Sequence, residues 1–161
     1  MLKFDRRNFI KKTSLTAAFA SSYVYSSENL RKNEQKYMGD FSAPKLKTIK
    51  AAFLGVGYRG KGHLKLFSSL PGTEVVGISD LYEDNISRSI KILENMNIST
   101  DLIKTYWGNE KKWKSMLSEV KPDIVFISTD WNSHGKMAIE SMKKGAHAFV
   151  EVPLAMTIKE L

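Results

Sequence analysis

A short apolar run that drops into glycines spaced G-x-G-x-x-G constrains this chain more than any other stretch. Ala51-Ala52-Phe53-Leu54 leads into Gly55-Val56-Gly57-Tyr58-Arg59-Gly60, and residues 62–69 then carry helical spacing. Each glycine has a mechanical reason. Gly55 permits a tight turn off the strand, Gly57 lets a pyrophosphate approach the backbone, and Gly60 lets helix and strand pack closely. The helix N-terminus then faces the phosphates. Val75-Val76-Gly77-Ile78-Ser79 reads as a second buried strand and ends at Asp80, 20 residues after Gly60. A dinucleotide fold places there the carboxylate that accepts hydrogen bonds from the adenosine ribose. A carboxylate in that place also repels a 2′-phosphate, which favours NAD over NADP. The alternative for Asp80 is a plain turn or helix cap.

From Lys47 onward strand-like and helix-like segments alternate. The spacing predicts strands at 49–54, 75–79, 102–107 (edge-like), 123–128 and 147–152. Helices are predicted at 62–69, at 110–120, at about 133–144 with Gly145 as its terminating glycine, and in a segment capped by Glu83-Asp84-Asn85. In that capped segment Ile86, Ile90, Leu93 and Met96 share a face. Thr157 to Leu161 reads as the start of one more helix. Strands alternating with helices of this length imply an α/β fold, a Rossmann-type doubly wound parallel sheet with helices on both faces.

The net charge of +8 suggests a nucleic-acid partner until it is divided along the chain. Residues 1–50 carry 11 Lys/Arg against 4 Asp/Glu, while residues 51–161 carry 14 against 13. The excess lies outside the folding part, so no nucleic-acid partner is expected. With no cysteine, disulfides, thiolate metal sites and a Cys nucleophile are excluded. The three histidines show no metal-ligand spacing, and no G-x-S-x-G elbow is present, so no metal is expected.

Residues 1–27 read as an export leader. Asp5-Arg6-Arg7-Asn8-Phe9-Ile10-Lys11 has paired arginines, two apolar residues and a Lys, followed by a mildly apolar run from Leu15 to Val24. This resembles a twin-arginine signal, which implies a periplasmic or extracellular protein. The run is too short and too polar for stable membrane insertion. Residues 28–46 are polar, mixed in charge and interrupted by Gly39 and Pro44, as in a linker. The folding domain is expected over 47–161.

The order Gly-x-Gly-x-Arg-Gly, Asp80, Ile127-Ser128-Thr129, His134, Gly145-x-His147 and Glu151-x-Pro153-Leu154-Ala155-x-Thr157 resembles the N-terminal dinucleotide-binding domain of the Gfo/Idh/MocA oxidoreductases. Members of that family normally continue into a second α/β domain that carries the substrate, and the 161 residues are expected to stop before it. One departure matters. The family's dehydrogenases have Glu-Lys-Pro where this chain has Glu151-Val152-Pro153, and their Lys assists proton transfer at the substrate hydroxyl. A Glu-Val pair, with Trp113 before Met116-Leu117 and Trp131-Asn132-Ser133-His134 after the fourth strand, is similar to glycoside hydrolase family 109, α-N-acetylgalactosaminidases that use NAD without consuming it.

The resemblance implies NAD as cofactor and, as its contacts, Gly55, Gly57, Tyr58, Arg59, Gly60, Asp80, Trp131, Asn132, Ser133, His134, Glu151 and Val152. It implies no catalytic residue within this chain, because the family's base and substrate-holding residues lie past Leu161. A carbohydrate partner is therefore expected only with a second domain supplied, and the uncovered sheet edge implies some self-association. The functional reading is an NAD-binding part of an NAD-dependent glycosidase acting on N-acetylhexosaminides. A sugar or polyol oxidoreductase and a non-catalytic remnant are the alternatives. Individual residues also have plainer readings. Arg59 suits a surface ion pair, Trp131 a surface aromatic, and His134 a helix-start residue without a ligand. Trp113 suits the core, His147 packing, and His63 a solvated helix position. Glu151, at the end of the last strand, is expected to point toward the nicotinamide.

Overall fold

The computed structural model describes residues 42–160, and a compact unit begins at Lys45. The expected leader at 1–27 lies outside the described residues, as does all of the expected linker except 42–46. Five strands form one parallel sheet: β1 (Ile49–Leu54), β2 (Thr73–Ser79), β3 (Lys104–Tyr106), β4 (Ile124–Ile127) and β5 (His147–Val150). Four helices alternate with them: α1 (Tyr58–Ser68), α2 (Glu83–Asn95), α3 (Lys112–Val120) and α4 (Trp131–Lys143). A single 3-10 turn, Ile158–Glu160, stands where a further helix was expected to start. The Glu160 carboxylate accepts from the Met156 and Thr157 N–H groups there.

The sheet order is β3-β2-β1-β4-β5. The chain therefore winds outward from β1 to β3, crosses back and resumes at β4 on the other side of β1. Ligands of such sheets bind where the winding reverses, at the carboxyl ends of the strands.

Strand alternation sends apolar side chains to both faces. Phe53 and Val75 face α1 and α2, where Leu64, Phe67, Ile86 and Leu93 close the core. The Phe53 ring stacks on Phe126 at 4.8 Å between centroids, with Phe67 edge-on to both. On the opposite face Ala52, Leu54, Val125 and Ile127 pack against Trp113, Met116 and Leu117 of α3 and Ala138 of α4. Trp113 is a core residue, as its helical spacing with Met116 and Leu117 implies.

Most boundaries shift by a residue or two from the sequence reading, and those of α1, β3 and α4 have an evident cause. Helix α1 begins at Tyr58, four residues earlier than 62, because Gly57 already serves as its N-cap. Strand β3 is only three residues long and pairs with β2 alone, as an edge strand does. Helix α4 begins at Trp131 because the Asp130 carboxylate caps it, accepting from the Asn132 N–H at 3.1 Å and the Ser133 hydroxyl at 2.6 Å. At its other end Gly145 takes φ +87°, the left-handed turn expected of it. His147, expected in packing, is exposed at the start of β5, which is the sheet's other edge.

Candidate functional site

A cleft of about 560 Å³ opens at the carboxyl ends of β1, β2 and β4, at the reversal point of the sheet. Gly55, Gly57, Asp80, Trp113, Ser133 and Met137 are among the residues that line it.

The three glycines do different work. Gly55 sits at φ +79°, and a Cβ there would stand 2.6 Å from the Ser128 carbonyl oxygen, so the turn excludes any larger residue. At Gly60 a Cβ would stand 2.0 Å from the Gly55 carbonyl oxygen, so α1 starts directly against the turn. At Gly57 an added Cβ would meet no atom within 4 Å. The backbone is open to approach at that point. No side chain caps α1 and its first turn holds no acidic residue, which leaves its N–H groups and positive end available to an anion.

Asp80 joins the loop to the next helix. Its Oδ2 accepts from the Val56 N–H at 2.8 Å, inside the glycine loop. Its Oδ1 accepts from the Tyr82 N–H at 3.0 Å and from the Asn85 amide Nδ2 at 3.1 Å. Of the four acceptor positions of a carboxylate, these bonds engage three. The turn-forming alternative for Asp80 is therefore real, and it coexists with a carboxylate that still lines the cleft.

Arg59 and Glu151 meet, but beside the cleft. The Arg59 Nε donates to Glu151 Oε1 at 3.2 Å, and His63 Nε2 lies 2.5 Å from the same oxygen. Glu151 is not among the residues that line the cleft, and its bonded carboxylate oxygen meets Arg59 and His63 of α1. The hydrogen bond with His63 holds its carboxyl below the usual range, with Arg59 adding to the effect and desolvation opposing it. His63, expected to be solvated, is mostly shielded. Its ring lies against Phe126 and Phe149, with centroids 6.1 and 5.6 Å away.

Trp131 and Asn132 were expected on the loop before a helix starting at about Ser133, and the whole stretch Trp131 to His134 is the first turn of α4. Its members diverge. Trp131 is 57% exposed and Asn132 is exposed, Ser133 lines the cleft, and His134 is only 1% exposed. The His134 ring spans two loops, with Nδ1 2.8 Å from the Pro153 carbonyl oxygen and Nε2 3.2 Å from that of Thr129. It ties the exit of β5 to the exit of β4. Tyr58 and Val152 project outward, 91% and 79% exposed.

Sequence reasoning missed Asn85 and Asp130. The signal for Asp130 was present, an Asp three residues before Ser133 at a helix start. Asn85 had been read only as part of a helix cap, and its bond to Asp80 spans a turn that spacing does not define.

A family-wide sequence profile described as an oxidoreductase family with an NAD-binding Rossmann fold matches residues 49–161. The chain belongs to the Gfo/Idh/MocA family. Its cofactor is NAD, and the described domain is the family's NAD-binding Rossmann domain. Among curated relatives it is 48% identical over 132 residues to glycosyl hydrolase family 109 protein 2 of Akkermansia muciniphila, covering 81% of this chain and 27% of that protein. It is 38% identical over 165 residues to a glycosyl hydrolase family 109 protein of Shewanella pealeana, covering 99% of this chain and 36% of that one. The chain thus spans about a quarter to a third of the length of these relatives.

Solved structures give the same fold. Myo-inositol dehydrogenase of Lactobacillus casei, in complex with NAD(H) and myo-inositol, matches with a TM-score of 0.58 at 22% identity. That match covers 70% of this chain and 31% of the enzyme. Apo scyllo-inositol dehydrogenase from the same organism matches at 0.60 and 19%, covering 73% and 32%.

Proposed function

We propose that this chain is the cofactor-holding part of an NAD-dependent glycosidase that acts on N-acetylhexosaminides. Val152 carries the reading. It stands where the family's dehydrogenases have a Lys, and a valine neither gives nor takes a proton at a sugar hydroxyl. The relatives named as family 109 glycosyl hydrolases support the same branch.

The residues present suit the cofactor. The uncapped start of α1 with its open Gly57 suits a pyrophosphate, and Arg59 stands in the same first turn, its guanidinium paired with Glu151. Asp80 accepts from the adenosine ribose through its remaining acceptor position. Tyr58, the turn Trp131 to His134, and Glu151 with Val152 border the nicotinamide half, with His134 acting through the backbone it braces. Bound NAD supplies reversible oxidation of the sugar C3 hydroxyl, which acidifies C2 and lets the aglycone leave by elimination, with no net consumption of cofactor. The exposed Val152 offers an apolar wall on that side. Export by the twin-arginine route belongs to the same proposal and rests on Arg6-Arg7 with Phe9-Ile10-Lys11.

The test uses a protein carrying this sequence together with a second domain. Release of nitrophenol from p-nitrophenyl N-acetylgalactosaminide should require NAD, accumulate no NADH and place solvent deuterium at C2. NADH accumulating on free sugars without glycoside cleavage would make it a sugar dehydrogenase instead.

A further inference from the structure

We infer that Asn85 sets the nucleotide preference of this domain by aiming the Asp80 carboxylate, an inference that rests on the ribose role proposed for Asp80. Asp80 performs two tasks with one group. Oδ2 pins the glycine loop through the Val56 N–H at 2.8 Å, and by count the same oxygen keeps one further acceptor position, in a residue that lines the cleft. Which way that position faces depends on how the carboxylate is turned about its last torsion. Such a terminal torsion is intrinsically broad, so the other oxygen must be held. The Tyr82 N–H holds Oδ1 from the backbone side at 3.0 Å, and the Asn85 amide holds it from the helix side at 3.1 Å. Two donors fill both acceptor positions of Oδ1, so the vicinal diol of a ribose meets Oδ2 alone.

Asn85 is the side-chain member of this clamp. It sits in the first turn of α2, half-buried, and it lines the cleft itself. The helix does not need it as a cap, since Tyr82 occupies the N-cap position and Glu83 and Asp84 already suit the positive end. Its amide can therefore be removed without taking away a terminus. Once it is gone, Oδ1 keeps a single backbone donor and the carboxylate can swing. The ribose of NAD loses a fixed acceptor. A 2′-phosphate gains, because the charge that repels it is no longer locked in its path. Asn85 is a positioning residue, and its signature is a change in the ratio of two affinities rather than a fall in both.

The experiment is calorimetric titration of the 161-residue chain and its Asn85→Ala and Asn85→Leu variants with NAD and with NADP. Circular dichroism melts confirm that the proteins are folded. With the carboxylate loosened rather than removed, NAD should weaken about five- to tenfold in both variants, less than the loss of a whole hydrogen bond to a charged group would cost. NADP affinity should hold or rise, so the preference narrows by at least that factor. The two variants leave different volumes behind, which separates the missing donor from a packing defect. Equal losses for both nucleotides, or an unchanged ratio, would overturn the role of Asn85. A parent chain that binds neither nucleotide would instead remove the cofactor reading beneath it.

Discussion

Two glycines in one helix make opposite predictions, because one is crowded and the other is free. Gly60 and Gly62 both lie in α1. An alanine in a helix interior is favoured over glycine by about 1 kcal/mol from backbone entropy alone. At Gly62 nothing lies within 4 Å of an added Cβ, so that gain should be realised almost whole. At Gly60 the new Cβ would stand 2.0 Å from the Gly55 carbonyl oxygen and 3.5 Å from the Ser128 Cβ. The nearest atom is backbone and cannot rotate aside, so α1 must retreat by about 1 Å from a turn that Gly55 has already closed. Overpacking of this kind costs typically 1–3 kcal/mol, and the rigidity of both partners puts it at the upper end. Net of propensity, Gly60→Ala should destabilise by about 2 kcal/mol. A folded unit of this size lies between the small-domain and large-domain ranges and shifts by roughly 4 °C per kcal/mol. Thermal unfolding should therefore place Gly60→Ala about 8 °C below the parent and Gly62→Ala a few degrees above it. A Gly60→Ala variant melting at or above Gly62→Ala would show that the tight junction between turn and helix is not there.

The His63–Glu151 contact makes a pH prediction. Glu151 titrates below its ordinary 4.5 in the folded state because His63 hydrogen-bonds its carboxylate. A depressed carboxyl contributes stability above its unfolded pKa and loses it as pH falls through the folded value. The parent should thus exceed Glu151→Gln in urea midpoint at neutral pH, and the gap should close in acid. A gap that widens in acid would reverse the sign. For the leader, Arg6→Lys with Arg7→Lys keeps the charge but removes the guanidinium pair, so cell fractionation should find the protein retained in the cytoplasm. Unimpaired export would give residues 1–27 another purpose.

The parts of this fold legible in the sequence are those that backbone sterics dictate over short range. Gly55, Gly57 and Gly60 announce the strand, turn and helix because no other residue fits two of the three positions. Ile124 to Ile127 announces a buried strand because both faces are apolar. Long-range side-chain partners are different. The contact of His63 with Glu151 spans 88 residues, and nothing in the local helix pattern signals it. The exposure of His147 was not legible because it depends on β5 lying at the sheet edge, and strand order is a property of the whole topology. The start of α4 was missed since Trp131-Asn132-Ser133 has low helix propensity, yet the Asp130 cap overrides it. For the cleft, Asp80 was legible from its distance to the glycines, while Asn85 acts only through the orientation it gives Asp80.

The claim beneath all of this is that the domain holds NAD and rejects its 2′-phosphorylated form, and calorimetric titration with both nucleotides tests it directly. The Asp80 carboxylate lines the cleft and is tied to the glycine loop, so a 2′-phosphate entering beside it meets a like charge, an encounter that costs several kcal/mol. NAD should bind with saturable heat, and NADP should bind at least about a hundredfold more weakly. Equal affinities, or tighter binding of NADP, would contradict the account.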